Sequence, residues 1–411
     1  MAKRVFWQHP VLRTDEEEER DRRVTWLELF FDLFIVVVVA EMAHTLAEDI
    51  SWLGVGQFIF LFLHLWWVWI GATYYTERFE TEGFDQRLFT FLQMIPIAGM
   101  AVFAHYAFSK TSVEFALSYA LSRVIITFLC WRGGKYDRRF RPTSHRFVIG
   151  FSVSILLFVL SVFVAPPIRF LLWGIALFID VVTPLLTLKQ QALLPRLSTS
   201  KLPERFGLFV IIVLGESIVG VVNGIAEQKT ITLANALIGI LGIAIAFGMW
   251  WIYFDFINRR PPQLGVRWTF AWGYLHMPLL IAIAATGAGT LKAVSDNDLL
   301  LNQNVSLLIG SAVGLSLIVN GLLELTLQRR FDEPTHPRLS PGLKFAAGAI
   351  AIVFGIISAG FWVIGLQLGL LGLLIIQMVY ALYVWFTQDI PVKDSECINI
   401  GSSMDSSQTQ E

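Results

Sequence analysis

Seven side chains in this 411-residue chain could do chemistry that its apolar majority cannot: Asp32, Glu41, His64, Arg123, Asp180, Glu216 and His276. Each falls in an apolar run long enough to cross a bilayer. A charged group in hydrocarbon costs about 3 kcal/mol or more, so such residues are functional-site candidates by default. The richest stretch is Arg22 to Asp49, RRVTWLELFFDLFIVVVVAEMAHTLAED, with Glu28, Asp32, Glu41 and His44 inside or beside one run. A degraded copy, ERFGLFVIIVLGESIVGVVNGIAE, runs from Glu204 to Glu227.

Depth follows from position at about 1.5 Å per helical residue. His64, Arg123, Asp180 and Glu216 sit near the middle of their spans, and His276 is shallower. Asp255 and Glu324 lie near span ends, where a side chain reaches water by snorkelling. The first helix has two placements. Starting at Trp26, it puts Asp32 inside and Glu41 in the outer third; with Glu28 and Asp32 among headgroups, Glu41 becomes central and matches Glu216. Asp32 and Glu41 are about 180° apart around a helix, so one straight helix cannot aim both at one site. Arg123 requires an acidic partner or a water-filled cavity, and Glu216, Glu41 and Asp180 are all candidates. Surplus carboxylate favours a cation or proton over an anion. The two histidines add groups whose ordinary titration range is near neutral. The competing reading makes each of these residues a satisfied polar contact between helices.

The elements that must position these groups are membrane helices. The chain is 55% hydrophobic and 15% charged, with mean hydropathy +0.63; a soluble chain carries about 25% charged residues. Twelve spans of about 20 residues are expected, near 26–47, 52–75, 87–108, 112–131, 147–165, 169–188, 206–225, 232–257, 268–290, 304–327, 343–361 and 365–386. Sorting Lys and Arg by side gives 26 with both termini and four opposite, with Arg123 inside a span. That asymmetry places both termini in the cytoplasm. Residues 1–25 read as a solvated cytoplasmic tail that does not fit a signal peptide, and 387–411 as a disordered one.

The polar segment 189–205 divides six helices, 26–188, from six, 206–386. Phe34–Glu41 reads FIVVVVAE and Phe209–Glu216 reads FVIIVLGE; the second helices carry Trp66-Trp67 and Trp250-Trp251, and the third carry Pro96 and Pro278. An even number of helices per half makes this a parallel repeat about an axis along the membrane normal. GxxxG pairs at Gly220–Gly224, Gly310–Gly314 and Gly365–Gly369 fit close helix crossings.

Net charge of −1 gives no case for nucleic-acid binding. Two cysteines, Cys130 and Cys397, with no Cys/His cluster, support neither a disulfide framework nor a metal site. Signatures of metalloproteases, serine hydrolases, P-loop proteins and dinucleotide-binding enzymes are missing, and no cofactor is expected. The aromatic cluster around His64, Trp66, Trp67, Trp69, Tyr74 and Tyr75 reads as packing and interface belt, with an organic-cation site as the other reading.

The first helix, VTWLELFFDLFIVVVVAEMAH, and the seventh, ERFGLFVIIVLGE, together with the Trp-rich second helix, resemble the bacterial low temperature requirement A family. The resemblance implies a multi-spanning protein of the bacterial plasma membrane. It marks Glu28, Phe31, Asp32, Glu204, Arg205, Gly215 and Glu216 as motif positions and transfers no substrate or catalytic residue. The expected function is a cation- or proton-coupled transporter with midplane carboxylates. The alternatives are a non-transporting scaffold or sensor in stress adaptation, and an intramembrane enzyme acting on lipid. The expected partners are the bilayer and an unidentified small solute or ion; oligomeric state is open.

Overall fold

The computed structural model describes residues 7–13, 23–79, 83–228, 230–296, 300, 302–329, 335–358, 360 and 362–387. The C-terminal tail and the acidic run Asp15–Glu19 lie outside the described residues. The helices are α1 (Trp26–Glu48), α2 (Trp52–Arg78), α3 (Phe84–Ala104), α4 (Ser112–Tyr136), α5 (Arg141–Ser161), α6 (Ile168–Leu186), the single turn α7 (Leu188–Gln191), α8 (Lys201–Ala226), α9 (Leu233–Tyr253), α10 (Val266–Ser295), α11 (Gln303–Thr326), α12 (Leu339–Ile357) and α13 (Val363–Thr387). All but α7 are long and apolar enough to cross a membrane, twelve in number among the described residues. A π-helical turn, Phe254–Asn258, completes α9.

Local chemistry sets the start of α1. The Thr25 side chain accepts the Glu28 N–H while the Glu28 carboxylate accepts the Thr25 N–H, a reciprocal cap that begins the helix at Trp26. The helix after the central break begins at Lys201 and not near 206. Pro203 lies in its first turn, where the missing N–H removes no helical hydrogen bond. Residues 7–13 are not a solvated tail: Leu12 is buried, Arg13 pairs with Glu77 at 2.6 Å, and the Arg13 N–H donates to the Arg78 carbonyl.

Helix pairing is similar in the two sets of six spans, although α9 meets α10 and α11 meets α13 in the second set only. In the first, α1 meets α2 and α3, then α3 meets α4, α4 meets α5, α5 meets α6, and α2 touches α4 and α6. In the second, α8 meets α9 and α10, then α10 meets α11, α11 meets α12, α12 meets α13, and α9 touches α11 and α13. The halves join through α1 against α8 and α10, with α2 against α10. Buried share ranks the helices: 78% of the most apolar stretch of α10 is buried but only 28% of those of α5 and α6. So α10 is central, and α5 and α6 present large apolar side chains outward, as lipid-facing helices do. The tightest crossing joins α11 and α12, where a Cβ on Gly310 would lie 2.5 Å from the Gly355 Cα. Gly365, by contrast, faces open space.

Candidate functional site

Most buried ionisable residues form closed networks, whereas Glu216 and Glu41 line an open cleft. The first network lies at the Lys/Arg-rich end, where α1 and α8 begin. Glu28 and Asp32 stand one turn apart on α1; Lys201 and Arg205 stand one turn apart on α8. Lys201 Nζ is 3.2 Å and Arg205 Nη1 3.3 Å from Glu28 Oε1, and Arg205 Nη2 is 3.3 Å from Asp32 Oδ1. Trp69 Nε1 donates to the same Asp32 oxygen at 2.8 Å, and Arg205 donates to Thr76 Oγ1 at 2.9 Å. Neighbouring Glu204 accepts the Val24 N–H at 3.1 Å. All four charged side chains are buried.

Arg123 pairs with Asp180, at 3.0 Å; Glu216 and Glu41 are not its partners. Tyr119 donates to the second Asp180 oxygen at 2.7 Å, and the Phe151 ring covers the guanidinium 4.3 Å from its centroid. The set is buried, Asp180 at 0% and Arg123 at 1% exposure, and the Arg123 side chain also borders an internal cavity. His64 and His276 are fully buried among aromatic rings, and His64 Nε2 has no partner among the described residues. His64 Nδ1 bonds the Phe60 carbonyl at 2.7 Å among the rings of Phe60, Tyr119, Phe158 and Trp173. His276 uses both nitrogens, on the Trp272 carbonyl at 2.8 Å and the Tyr253 hydroxyl at 2.9 Å. Trp66 and Trp69 pack on Phe206 and Phe209, and Phe31 is likewise core.

Glu324 does not snorkel. Its side chain is fully buried, 2.9 Å from Lys344 Nζ and 3.7 Å from Arg260, and accepts from Ser340 at 2.9 Å. Asp255 is a partly exposed pair with Arg259 at 2.9 Å. Sequence reasoning missed Lys201, Arg132 paired with Asp85, and Lys344 as buried cations. One signal was available: the i,i+4 spacing of Lys201 and Arg205 complements that of Glu28 and Asp32.

Two open clefts are present among the described residues: one of about 310 Å³ at the Lys/Arg-rich end, lined by Glu204, Arg259 and Arg260, and one of about 280 Å³ between α1, α8 and α10. The latter occupies the half of the bundle away from the Lys/Arg-rich end. Glu216, Gly220 and Asn223 line it from α8 and Glu227 from the cap that follows, at i, i+4, i+7 and i+11, one stripe about 16 Å long. Glu41 and His44 line it from α1, and Ala284, Gly287, Ala288 and Leu291 form its wall on α10. Gly287 is required there, since a Cβ would strike Ser217 of α8. Glu216 is half-buried and has no hydrogen-bond or ion-pair partner among the described residues; no Lys or Arg lines the cleft. Gly215 beside it has open space on its Cα. Glu41 is 3.3 Å from His105 Nδ1 at the mouth, where His105 Nε2 and His44 also approach Glu48, at 3.6 and 3.4 Å. Asp32 and Glu41 thus serve different sites, one the closed network and one the cleft. Among the described residues no group of three or more His, Cys, Asp or Glu is arranged to hold a metal ion.

Twelve apolar helices, with buried charge networks at the Lys/Arg-rich end and at mid-depth and a carboxylate cleft at the other end, define a multi-pass helical membrane protein. Residues 23–385 match the family described as bacterial low temperature requirement A protein, and the chain belongs to that family. It is also similar to an uncharacterized protein of Rhizobium meliloti (strain 1021), 28% identical over 295 residues, which covers 67% of this chain and 70% of the relative.

Proposed function

We propose that this chain is a plasma-membrane transporter that moves a cation or is coupled to one, a proton included, with Glu216 as its central carboxylate. The observation that carries this reading is the unpaired state of Glu216 at the deep end of the cleft, while the other deep charges, Asp32, Arg123 and Asp180, are matched. Glu41 and Glu227 raise the local cation concentration along the cleft, and Asn223 and Ser217 supply neutral ligands. Toward the Lys/Arg-rich end the path is closed by Val213, Phe209 and Phe206, with the Trp69 ring stacked 4.4 Å from Phe209. The Asp32–Arg205 network lies beyond this plug and serves as the closed gate. The distribution of 26 Lys and Arg against four supports an orientation with both termini cytoplasmic, so that the cleft faces outward.

The test is ion flux in proteoliposomes. Purified protein carries an internal pH dye under an imposed potential, with potassium or sodium gradients as parallel arms. Flux in wild type that disappears in Glu216→Gln is expected; equal flux in both removes Glu216 from the pathway. One observation favours a second reading, a non-transporting scaffold: most buried charges are already satisfied as helix contacts. That reading expects no flux from any arm and the same cellular phenotype for wild type and Glu216→Gln.

A further inference from the structure

We propose that a further cavity, of about 60 Å³ between α2, α4, α5 and α10, binds a small monovalent anion held by Arg78. It is separate from the carboxylate cleft and independent of the transport reading. Its walls are aromatic, including Trp67, Phe147, Phe151 and Phe270, and no carboxylate lines it.

Arg78 lines this cavity at 7% exposure. Its hydrogen bonds are to neutral acceptors, the Pro195 carbonyl and Gln191 Oε1, both at 3.3 Å, and no carboxylate lies within ion-pair distance among the described residues. Adjacent Glu77 is committed to Arg13 at 2.6 Å and to the Ser198 N–H at 2.8 Å. The Glu77 charge acts on Arg78 only from beyond contact distance and is shared with Arg13, and a buried guanidinium without a carboxylate in direct contact is under-compensated. Three further polar atoms in the lining are buried without a partner among the described residues: the hydroxyls of Tyr74 and Tyr274, and Arg123 Nε. Buried polar groups in native proteins are mostly paired, and here three donors without a partner belong to residues that surround one cavity together with Arg78. All three can donate, and the nearest charge to be balanced is positive. The complement is an acceptor with one negative charge.

Size narrows the class. One water takes about 30 Å³ of liquid, so the space admits a halide, nitrate or formate and not a sugar acid. Arg78 and Arg123 would repel an ammonium ion from this cavity.

The experiment follows the melting temperature of the full chain in dodecyl maltoside as formate, nitrate or chloride replaces gluconate at constant ionic strength. A saturable rise is expected in wild type and in Glu216→Gln, which keeps the outcome separate from that of the transport proposal. The Tyr74→Phe/Tyr274→Phe double variant weakens the apparent affinity at least tenfold, and Arg78→Gln abolishes the response. If Arg78→Gln does not fold, the tyrosine variant decides alone. No saturable rise in wild type means that water fills the cavity, and an undiminished response in the tyrosine variant places the anion elsewhere; either overturns the proposal.

Discussion

Arg205 Nη2 lies 3.3 Å from Asp32 Oδ1 although 173 residues separate them. The contact ties the first helix of one half to the first helix of the other. Trp69 donates to the same oxygen, so α2 is locked into the joint, while Asp32 Oδ2 is left without a partner among the described residues. The residues most characteristic of the sequence therefore build the seam between the halves.

Removing one member of that seam should be costly and unequal. Arg205→Gln leaves Asp32 ionised and buried with only Trp69, and should destabilise by about 3–5 kcal/mol. Asp32→Asn costs less, because Arg205 keeps Glu28. Melting of the two single variants and the double variant tests this. Losses that simply add would mean the two residues do not interact; a double variant milder than the sum is expected.

Glu216→Gln should behave in the opposite way. With no partner to lose, the folded protein should change by no more than about 0.5 kcal/mol, as for a surface substitution. Its effect belongs in flux. A large drop in melting temperature would show that Glu216 holds helices together and would move it into the structural class.

The α11–α12 crossing gives a prediction independent of charge. Any side chain at Gly310 meets backbone, with the Gly355 N at 2.7 Å and the Ala351 carbonyl at 2.8 Å from the added Cβ. Backbone cannot step aside as a side-chain tip can, so Gly310→Val should force the helices apart and lower stability by several kcal/mol, about the range of a severe core change. Gly365→Val, with open space at its position, is the matched control and should melt like wild type. If both variants melt alike, the close crossing does not exist.

These contrasts show what was legible in the sequence. The twelve spans were, because a bilayer demands apolar runs of fixed length and the Lys/Arg pattern checks their count. The separation of Asp32 from Glu41 was, because helical geometry forbids a shared face. The partner of Arg123 was not: Glu216, Glu41 and Asp180 were all candidates, and only the packing of α4 on α5 and of α5 on α6 brings Asp180 to it. Glu324 was misread for the same reason, since its cations arrive from α12 and from the turn after α9. Lys201 and Arg205 were assigned to a linker because Pro203 reads as a break, although a proline is tolerated in a first turn.

The proposed orientation makes a last prediction about access. Replace Cys130 and Cys397 with Ser, then place single cysteines at Ser217, Asn223 and Phe209. Asn223 is exposed near the mouth of the cleft, Ser217 lies deeper beside Glu216, and Phe209 is buried in the plug. A membrane-impermeant thiol reagent added outside intact cells should label Asn223→Cys quickly and Ser217→Cys more slowly. Phe209→Cys should label no faster than the cysteine-free protein. The same reagent on inside-out vesicles should reach none of the three, because the closed seam of Glu28, Asp32, Lys201 and Arg205 stands between them and that face. Labelling of Ser217→Cys only from inside-out vesicles would reverse the orientation while keeping the cleft. Labelling from neither side would mean that the cleft is sealed and that Glu216 cannot receive an ion from solution.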